Sequence, residues 1–108
     1  MTQKFIQPGD VLDYTAGANI VSGQVVLMGV RIGVALAAIA NGAVGPVAVT
    51  GVFKIAKLTT DAPAQGALLY WDNANNRLTT TSAGNTLAGY AAAPAINGDT
   101  TVNIKINA

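Results

Sequence analysis

Apolar and polar side chains alternate over residues 46–57 (Pro-Val-Ala-Val-Thr-Gly-Val-Phe-Lys-Ile-Ala-Lys). Successive side chains of an extended chain point to opposite sides, so one face of this segment is apolar or glycine. That face consists of Val47, Val49, Gly51, Phe53 and Ile55. A helix is disfavoured because the segment contains a glycine and several β-branched residues. The pattern therefore predicts one long strand that lies over the domain core.

The opposite face of this strand carries Ala48, Thr50 and Val52, which are too small and neutral for an active site. They are also too apolar for an ordinary exposed surface, which favours either a second buried layer or a subunit contact. Lys54 and Lys57 are interpreted as a solvated strand edge.

Shorter runs rich in β-forming residues are separated by turn signals along the rest of the chain. Strands are predicted at residues 11–15, 24–28, 67–71, 77–81, 87–93 and 101–106, with residues 19–21 extending the first. Residues 30–39 would suit a helix by their alanine and leucine content, but Gly33 and the Asn41-Gly42 turn favour a pair of short strands. About ten short strands, with turns at intervals of roughly 8–12 residues, predict an all-β (mainly β) fold. The expected architecture is a small β-barrel or sandwich of short strands, with at most one or two short helical turns.

Residues 1–9 end in the turn pair Pro8-Gly9 and are predicted to form an extended N-terminal arm. Residues 10–108 are predicted to form a single β-rich domain, because their number is typical of one hydrophobic core. The arm is a candidate for pairing with a neighbouring chain or another partner as an added strand. The alternative for this segment is a frayed terminus.

An internal echo relates residues 33–42 (Gly-Val-Ala-Leu-Ala-Ala-Ile-Ala-Asn-Gly) to residues 89–98 (Gly-Tyr-Ala-Ala-Ala-Pro-Ala-Ile-Asn-Gly). Each segment is followed by an alternating strand. One interpretation is a duplicated β unit, in which two equivalent hairpins build the fold. The other is that small residues have converged on the same turn chemistry. The sequence leaves both interpretations open.

Charged residues make up only 10% of the chain, against about 25% in a typical soluble domain. Part of the surface is therefore expected to be covered by another subunit or partner. The six Lys and Arg residues are scattered and the net charge is +1, so direct nucleic-acid binding is not expected. No apolar run reaches the length of a signal peptide or a membrane span, which predicts a soluble protein made in the cytoplasm.

The chain contains no histidine, cysteine or glutamate. A nucleophile paired with histidine cannot be assembled, and the usual nitrogen and sulfur ligands of transition metals are missing. Asp10 and Asp13 are the closest carboxylates in sequence, but no oxygen-rich loop surrounds them, so they are interpreted as turn caps or solvated charges. Residues 72–76 (Asp-Asn-Ala-Asn-Asn) are predicted to form a hairpin loop. No catalytic site, metal or cofactor is predicted.

Short motifs spread in order over nearly the whole chain indicate the class of protein more specifically. They are residues 5–12 (Phe-Ile-Gln-Pro-Gly-Asp-Val-Leu), 22–24 (Ser-Gly-Gln), 51–53 (Gly-Val-Phe), 65–67 (Gln-Gly-Ala) with 70–72 (Tyr-Trp-Asp), 84–89 (Gly-Asn-Thr-Leu-Ala-Gly) and 102–106 (Val-Asn-Ile-Lys-Ile). Together they resemble the small phage proteins known as capsid cement or head decoration proteins, a family long catalogued as a domain of unknown function.

The resemblance implies a structural protein of the virion that binds the outside of the expanded capsid. Proteins of this kind usually act as trimers at three-fold or quasi-three-fold positions, where they hold neighbouring capsomers against the pressure of the packaged DNA. The implied partners are the major capsid protein and further copies of the chain, without a cofactor and without an enzymatic activity. Candidate contacts to the capsid or to another subunit are Lys4, Phe5, Ile6, Tyr70 and Trp71.

The adjacent aromatic residues Tyr70 and Trp71 also support an alternative from a different class. Aromatic rings stack on sugars, so the chain would then be a β-sandwich binding module for a host-surface or carbohydrate ligand. This alternative requires both side chains to be exposed in a shallow groove. A place in the core or in a subunit interface is the competing interpretation.

Overall fold

A computed structural model of the chain describes residues 9–107 and folds them into nine β-strands. The strands are β1 (Val11–Thr15), β2 (Val25–Met28), β3 (Arg31–Ala35), β4 (Val44–Ala48), β5 (Val52–Ala56), β6 (Leu68–Asp72), β7 (Arg77–Thr79), β8 (Thr86–Ala91) and β9 (Thr101–Ile106). No helix forms within the described residues, so none of them belongs to a helix able to cross a membrane. The predicted all-β fold is confirmed.

The strands form two antiparallel sheets, with the orders β1-β4-β3-β2 and β5-β9-β8-β6-β7. The five-stranded sheet curls back on itself at its far edge. There Leu78 of β7 forms a parallel bridge with Lys57, and the backbone N–H of Leu58 donates to the Leu78 carbonyl at 2.8 Å. The second sheet thus approaches a small barrel, while the first stays open.

The prediction of one long strand over residues 46–57 is wrong. The chain bends at Thr50 and Gly51, and the strands on either side, β4 and β5, lie in different sheets. Gly51 has a φ of +118°, which side chains strongly disfavour and glycine tolerates. The alternation continues across the bend, because Val47 and Ile55 are both buried. The face that carries Val47 and Ile55 therefore contributes core residues to both sheets.

The two sheets repeat the same four-strand unit. The first unit consists of β1 to β4, and the second of β5, β6, β8 and β9, with β7 added at its edge. Chain order and sheet order correspond throughout, and the register corresponds except at a bulge between Leu69 and Tyr70 in the second unit. The pair Val25↔Val34 of the first unit matches Leu68↔Tyr90 of the second.

Loop hydrogen bonds follow the same correspondence. In the first unit, the N–H of Ile39 donates to the carbonyl of Ile20 at 2.9 Å; in the second, the N–H of Ala95 donates to that of Pro63 at 3.0 Å. The internal echo in the sequence lies at equivalent positions of the units, on β3 and β8 and the loops that follow them. This arrangement is what the duplication interpretation expects.

Each unit has an apolar cluster of its own. The smaller cluster belongs to the first unit and contains Ala16, Ile20, Val26, Ala35, Ile39 and Val47. The larger cluster fills the second unit and extends into the first through two residues of β3, Ile32 and Val34. Because β3 is buried on both faces, it joins the two cores.

Lys57, expected at a solvated edge, is buried, with an exposed fraction of 4%. Its Nζ donates to the backbone carbonyls of Leu58 (3.1 Å), Thr59 (3.4 Å) and Asp61 (2.6 Å). An ammonium group can be buried only where hydrogen bonds replace its hydration, and the three carbonyls do this. Lys57 thus fixes the loop that follows β5, while Lys54 is exposed as predicted.

Asn107 ties the end of β9 to the first unit. Its Oδ1 accepts from the N–H of Ile32 at 3.3 Å, and its Nδ2 donates to the carbonyls of Ile32 at 2.7 Å and Val49 at 2.8 Å. Its own N–H donates to the Ala88 carbonyl of the second unit at 2.6 Å. One side chain therefore connects the units through three hydrogen bonds to the first.

Candidate interaction site

The predicted contact residues of the N-terminal arm, Lys4, Phe5 and Ile6, lie outside the described residues. Their contact with a capsid or with another subunit remains a prediction. The other two predicted residues, Tyr70 and Trp71, are neighbours on β6, so their side chains point to opposite faces of the sheet.

Trp71 points into the core. Its exposed fraction is 3%, and its Nε1 donates to Oδ1 of Asn73 at 3.0 Å. Tyr70 is half-buried on the outer face of the sheet. The two rings therefore do not form one exposed platform, which the carbohydrate-binding alternative requires. From the core side, Trp71 supports the sheet whose outer face carries Tyr70.

Asp10 and Asp13 are exposed, and neither lines any of three well-formed cavities among the described residues. An enzymatic role for these two carboxylates would need them to converge in a pocket, so the geometry gives such a role no support. Within residues 9–107, no cluster of three or more metal-ligating side chains is present.

The hairpin between β6 and β7 is organised by Asp72, as the Asn-rich sequence predicts. Its carboxylate accepts from the N–H groups of Ala74 (3.1 Å) and Asn75 (3.3 Å) and from Nδ2 of Asn75 (2.7 Å). The side-chain hydrogen bond from Asn75 is the main reason that the pKa of Asp72 lies below its ordinary value of 3.8. The loop is thus a self-contained turn whose carboxylate is occupied.

This pKa shift predicts a pH-dependent contribution to folding. Because the folded-state pKa of Asp72 is lowered, its contribution is complete above the unfolded-state pKa and is lost as pH falls through the folded-state pKa. We expect Asp72→Asn to lower the free energy of unfolding near neutral pH, and the difference from wild type to vanish in strong acid. Urea unfolding at a series of pH values measures this. Asp13→Asn, at an exposed strand position, controls for the loss of one negative charge; a difference for Asp72→Asn that is independent of pH would contradict the assignment.

The outer face of the five-stranded sheet extends the predicted contact face of Val52 to residues that sequence reasoning missed. Successive cross-strand pairs place Val52, Lys105, Tyr90 and Leu68 in one row. Val52 is 58% exposed and Leu68 52%. A solvated strand face normally carries polar side chains at such positions. The row is therefore a candidate contact surface. Its signal in the sequence was the apolar residues at alternating positions opposite to the core.

An open cavity of about 480 Å³ lies between the two units. We call it the interunit cavity. It is lined by Gly23, Gln24, Val25, Lys54, Ile55, Ala56, Trp71 and Asn76. Its floor is apolar, since Ile55 and Trp71 are buried core residues. Its rim carries one charged side chain, Lys54, and no carboxylate.

A family model described as phage cement protein matches residues 6–106, nearly the whole chain. No curated protein and no solved structure matches. The matched region includes every described strand.

Proposed function

We propose that this chain, which belongs to the phage cement protein family, binds the outside of the expanded capsid as a trimer and holds neighbouring capsomers together without covalent bonds. Proteins of this family have a structural, capsid-decorating role in the virion. We propose further that the protein is a trimer, that its partner is the major capsid protein, and that it lies at three-fold or quasi-three-fold positions. It has no catalytic activity in this role. The observation that carries it is the family match over nearly all of the chain.

The surface composition supports burial against neighbours. Ten large apolar residues are exposed among the described residues, while only 10% of the chain is charged. An interface of ordinary size buries about 800 Å² on each partner. Two such interfaces in a trimer would cover about a quarter of the chain's accessible surface of 6211 Å². Enough surface then remains for the capsid.

Attachment without covalent bonds agrees with the chemistry of the chain, which has no cysteine for a disulfide. A trimer presents each contact three times, so weak individual contacts can combine into firm attachment. Lys4, Phe5, Ile6 and Tyr70 remain proposed contact residues. For Trp71 we propose an indirect part, because it packs behind Tyr70 in the core.

Light scattering and co-sedimentation test the proposal together. We expect the purified protein to have the mass of three chains in solution or to form trimers on the head. We also expect it to sediment with expanded heads to a saturating ratio, and to bind unexpanded heads much more weakly. A protein that stays monomeric and does not sediment with expanded heads, even at high concentration and low salt, would contradict the proposal.

A further inference from the structure

Two sheet edges border the interunit cavity. β5 is an edge of the five-stranded sheet and β2 is an edge of the four-stranded sheet. Lys54 and Ala56 line the cavity from β5, and Val25 lines it from the start of β2. Edge strands carry backbone groups that have no partner within their own sheet, and natural proteins usually cover or interrupt them.

The hydrogen-bond alternation of β5 shows which of its backbone groups point away from β9. The Gly51 carbonyl accepts from Ile106 at 3.1 Å, and the N–H of Lys57 donates to Thr100 at 3.0 Å. In an antiparallel pair such bonded residues recur at every second position. The odd-numbered residues of β5 therefore face β9, and the N–H and C=O groups of Val52, Lys54 and Ala56 point to the open edge.

On its open side, β5 pairs with no strand of its sheet within the described residues; the bridge between Lys57 and Leu78 engages only the end of the edge, next to Ala56, and leaves Val52 and Lys54 without a neighbouring strand. The same alternation applies to β2. The N–H of Ala35 donates to the Gln24 carbonyl at 2.9 Å, so the backbone groups of the next residue, Val25, point away from β3. The cavity thus offers donors and acceptors at the spacing of a β-strand, above an apolar floor of Ile55 and Trp71.

We propose that the interunit cavity receives an extended, neutral or acidic segment of the capsid protein, which adds to β5 as a further strand. This inference rests on the proposed function and identifies where the capsid is held. Main-chain hydrogen bonds to β5 supply affinity, and alternate side chains of the added segment contact the apolar floor. The ligand chemistry is therefore that of an extended polypeptide.

Charge favours a capsid segment over the N-terminal arm of a second copy. Residues 1–8 contain Lys4 as their only charged side chain. The cavity rim carries Lys54, and Lys105 lies on the adjacent strand β9, close to Asn103, the residue that pairs with Lys54. These lysines repel the positively charged arm, whereas they attract an acidic segment.

Hydrogen exchange measured by mass spectrometry tests the inference on wild-type protein bound to expanded heads. We expect exchange in peptides covering residues 52–56 to slow on binding, because the outward N–H groups gain partners. Peptides covering β9, which already pairs with β5 and β8, serve as the internal control. If wild type binds the heads while exchange over residues 52–56 is unchanged, the inference is overturned and the proposed function stands. If wild type does not bind, the proposed function itself fails.

Variants at Lys54 give a second test. Lys54→Pro removes an outward N–H, which an edge strand tolerates, together with the charged side chain of the rim, and we expect head binding to weaken by about tenfold or more. If that variant does not fold, Lys54→Glu tests the charge preference, with Lys105→Glu as the matched control on a central strand. We expect Lys54→Glu to weaken binding more than Lys105→Glu. Equal weakening of head binding by the two variants would assign the capsid contact to the outer face of the sheet. Loss of trimers with retained head binding would show that the β5 edge contacts a second copy of the chain. Either result overturns the inference.

Discussion

Replacing Gly89 with alanine is expected to destabilise the protein by about 4 kcal/mol or more, a large fraction of the stability of an ordinary domain. Gly89 lies on β8 with a φ of +152°. A Cβ atom there would overlap the backbone carbonyl oxygen of Lys105 and would lie 3.1 Å from the Cα of Ile106. β8 pairs with β6 on one side and β9 on the other. Backbone on both sides thus leaves little room for relaxation. Urea unfolding of the purified variant measures the loss.

The first unit supplies a matched control at the equivalent position, Gly33. There a Cβ would meet the flexible end of Met28 at 3.0 Å and the side chain of Val47 at 3.3 Å. Side chains can move by a few tenths of an ångström, so we expect Gly33→Ala to cost about 1 kcal/mol. Equal losses for the two alanine variants would contradict the assignment of backbone overlap to Gly89 alone.

Asn107→Ala is expected to lower the free energy of unfolding by about 2–4 kcal/mol. The substitution removes three hydrogen bonds between the units, each worth about 1 kcal/mol net, and places alanine at a φ of +57°. Asn107→Gly loses the same hydrogen bonds but tolerates this backbone, so we expect it to be less destabilising than alanine by about 1 kcal/mol. Urea unfolding of all three proteins measures both effects.

The control for Asn107 is Asn103→Ala on β9, the strand that Asn107 follows. Asn103 is exposed, and we expect its replacement to change the free energy of unfolding by less than about 0.5 kcal/mol. If the Asn107 variants are as stable as this control, the side chain does not couple the units. A second, separate unfolding transition in Asn107→Ala would support the coupling directly, because each unit has its own apolar cluster.

Strand faces were predictable from the sequence, and strand ends were less so. Alternation identified the buried face of Val47 and Ile55 correctly, because it reports only which side of an extended chain is apolar. The bend at Gly51 was missed since a single glycine within an alternating run also suits a small residue facing the core. Its positive φ is set by the passage of the chain from one sheet to the other, which local pattern does not encode.

Three side chains show what a local sequence pattern can and cannot predict. Lys57 is buried because three carbonyls of the following loop converge on its Nζ. No pattern in the sequence predicts this convergence. Tyr70 and Trp71 are different, since strand geometry alone places adjacent residues on opposite faces. A single exposed platform made of both rings is therefore incompatible with a strand over residues 67–71, which the sequence itself predicts.

The internal echo contained more information than its sequence similarity indicated. Small residues dominate both segments, so composition alone could not separate duplication from convergence. The structure adds a matching sheet order and register in the two units. The addition of β7 then explains why the second unit curls while the first stays open. The interunit cavity lies where the edges of these unlike units meet.

The most direct test of a cement function is the heat stability of DNA-filled heads that lack this protein, measured with and without added purified protein. We predict that saturating protein raises the temperature at which the heads release their DNA, because contacts across capsomers resist internal pressure. Gly89→Ala, if it is unfolded, should give no increase and serves as the inactive control. Binding of folded wild-type protein without any rise in the release temperature would contradict the account.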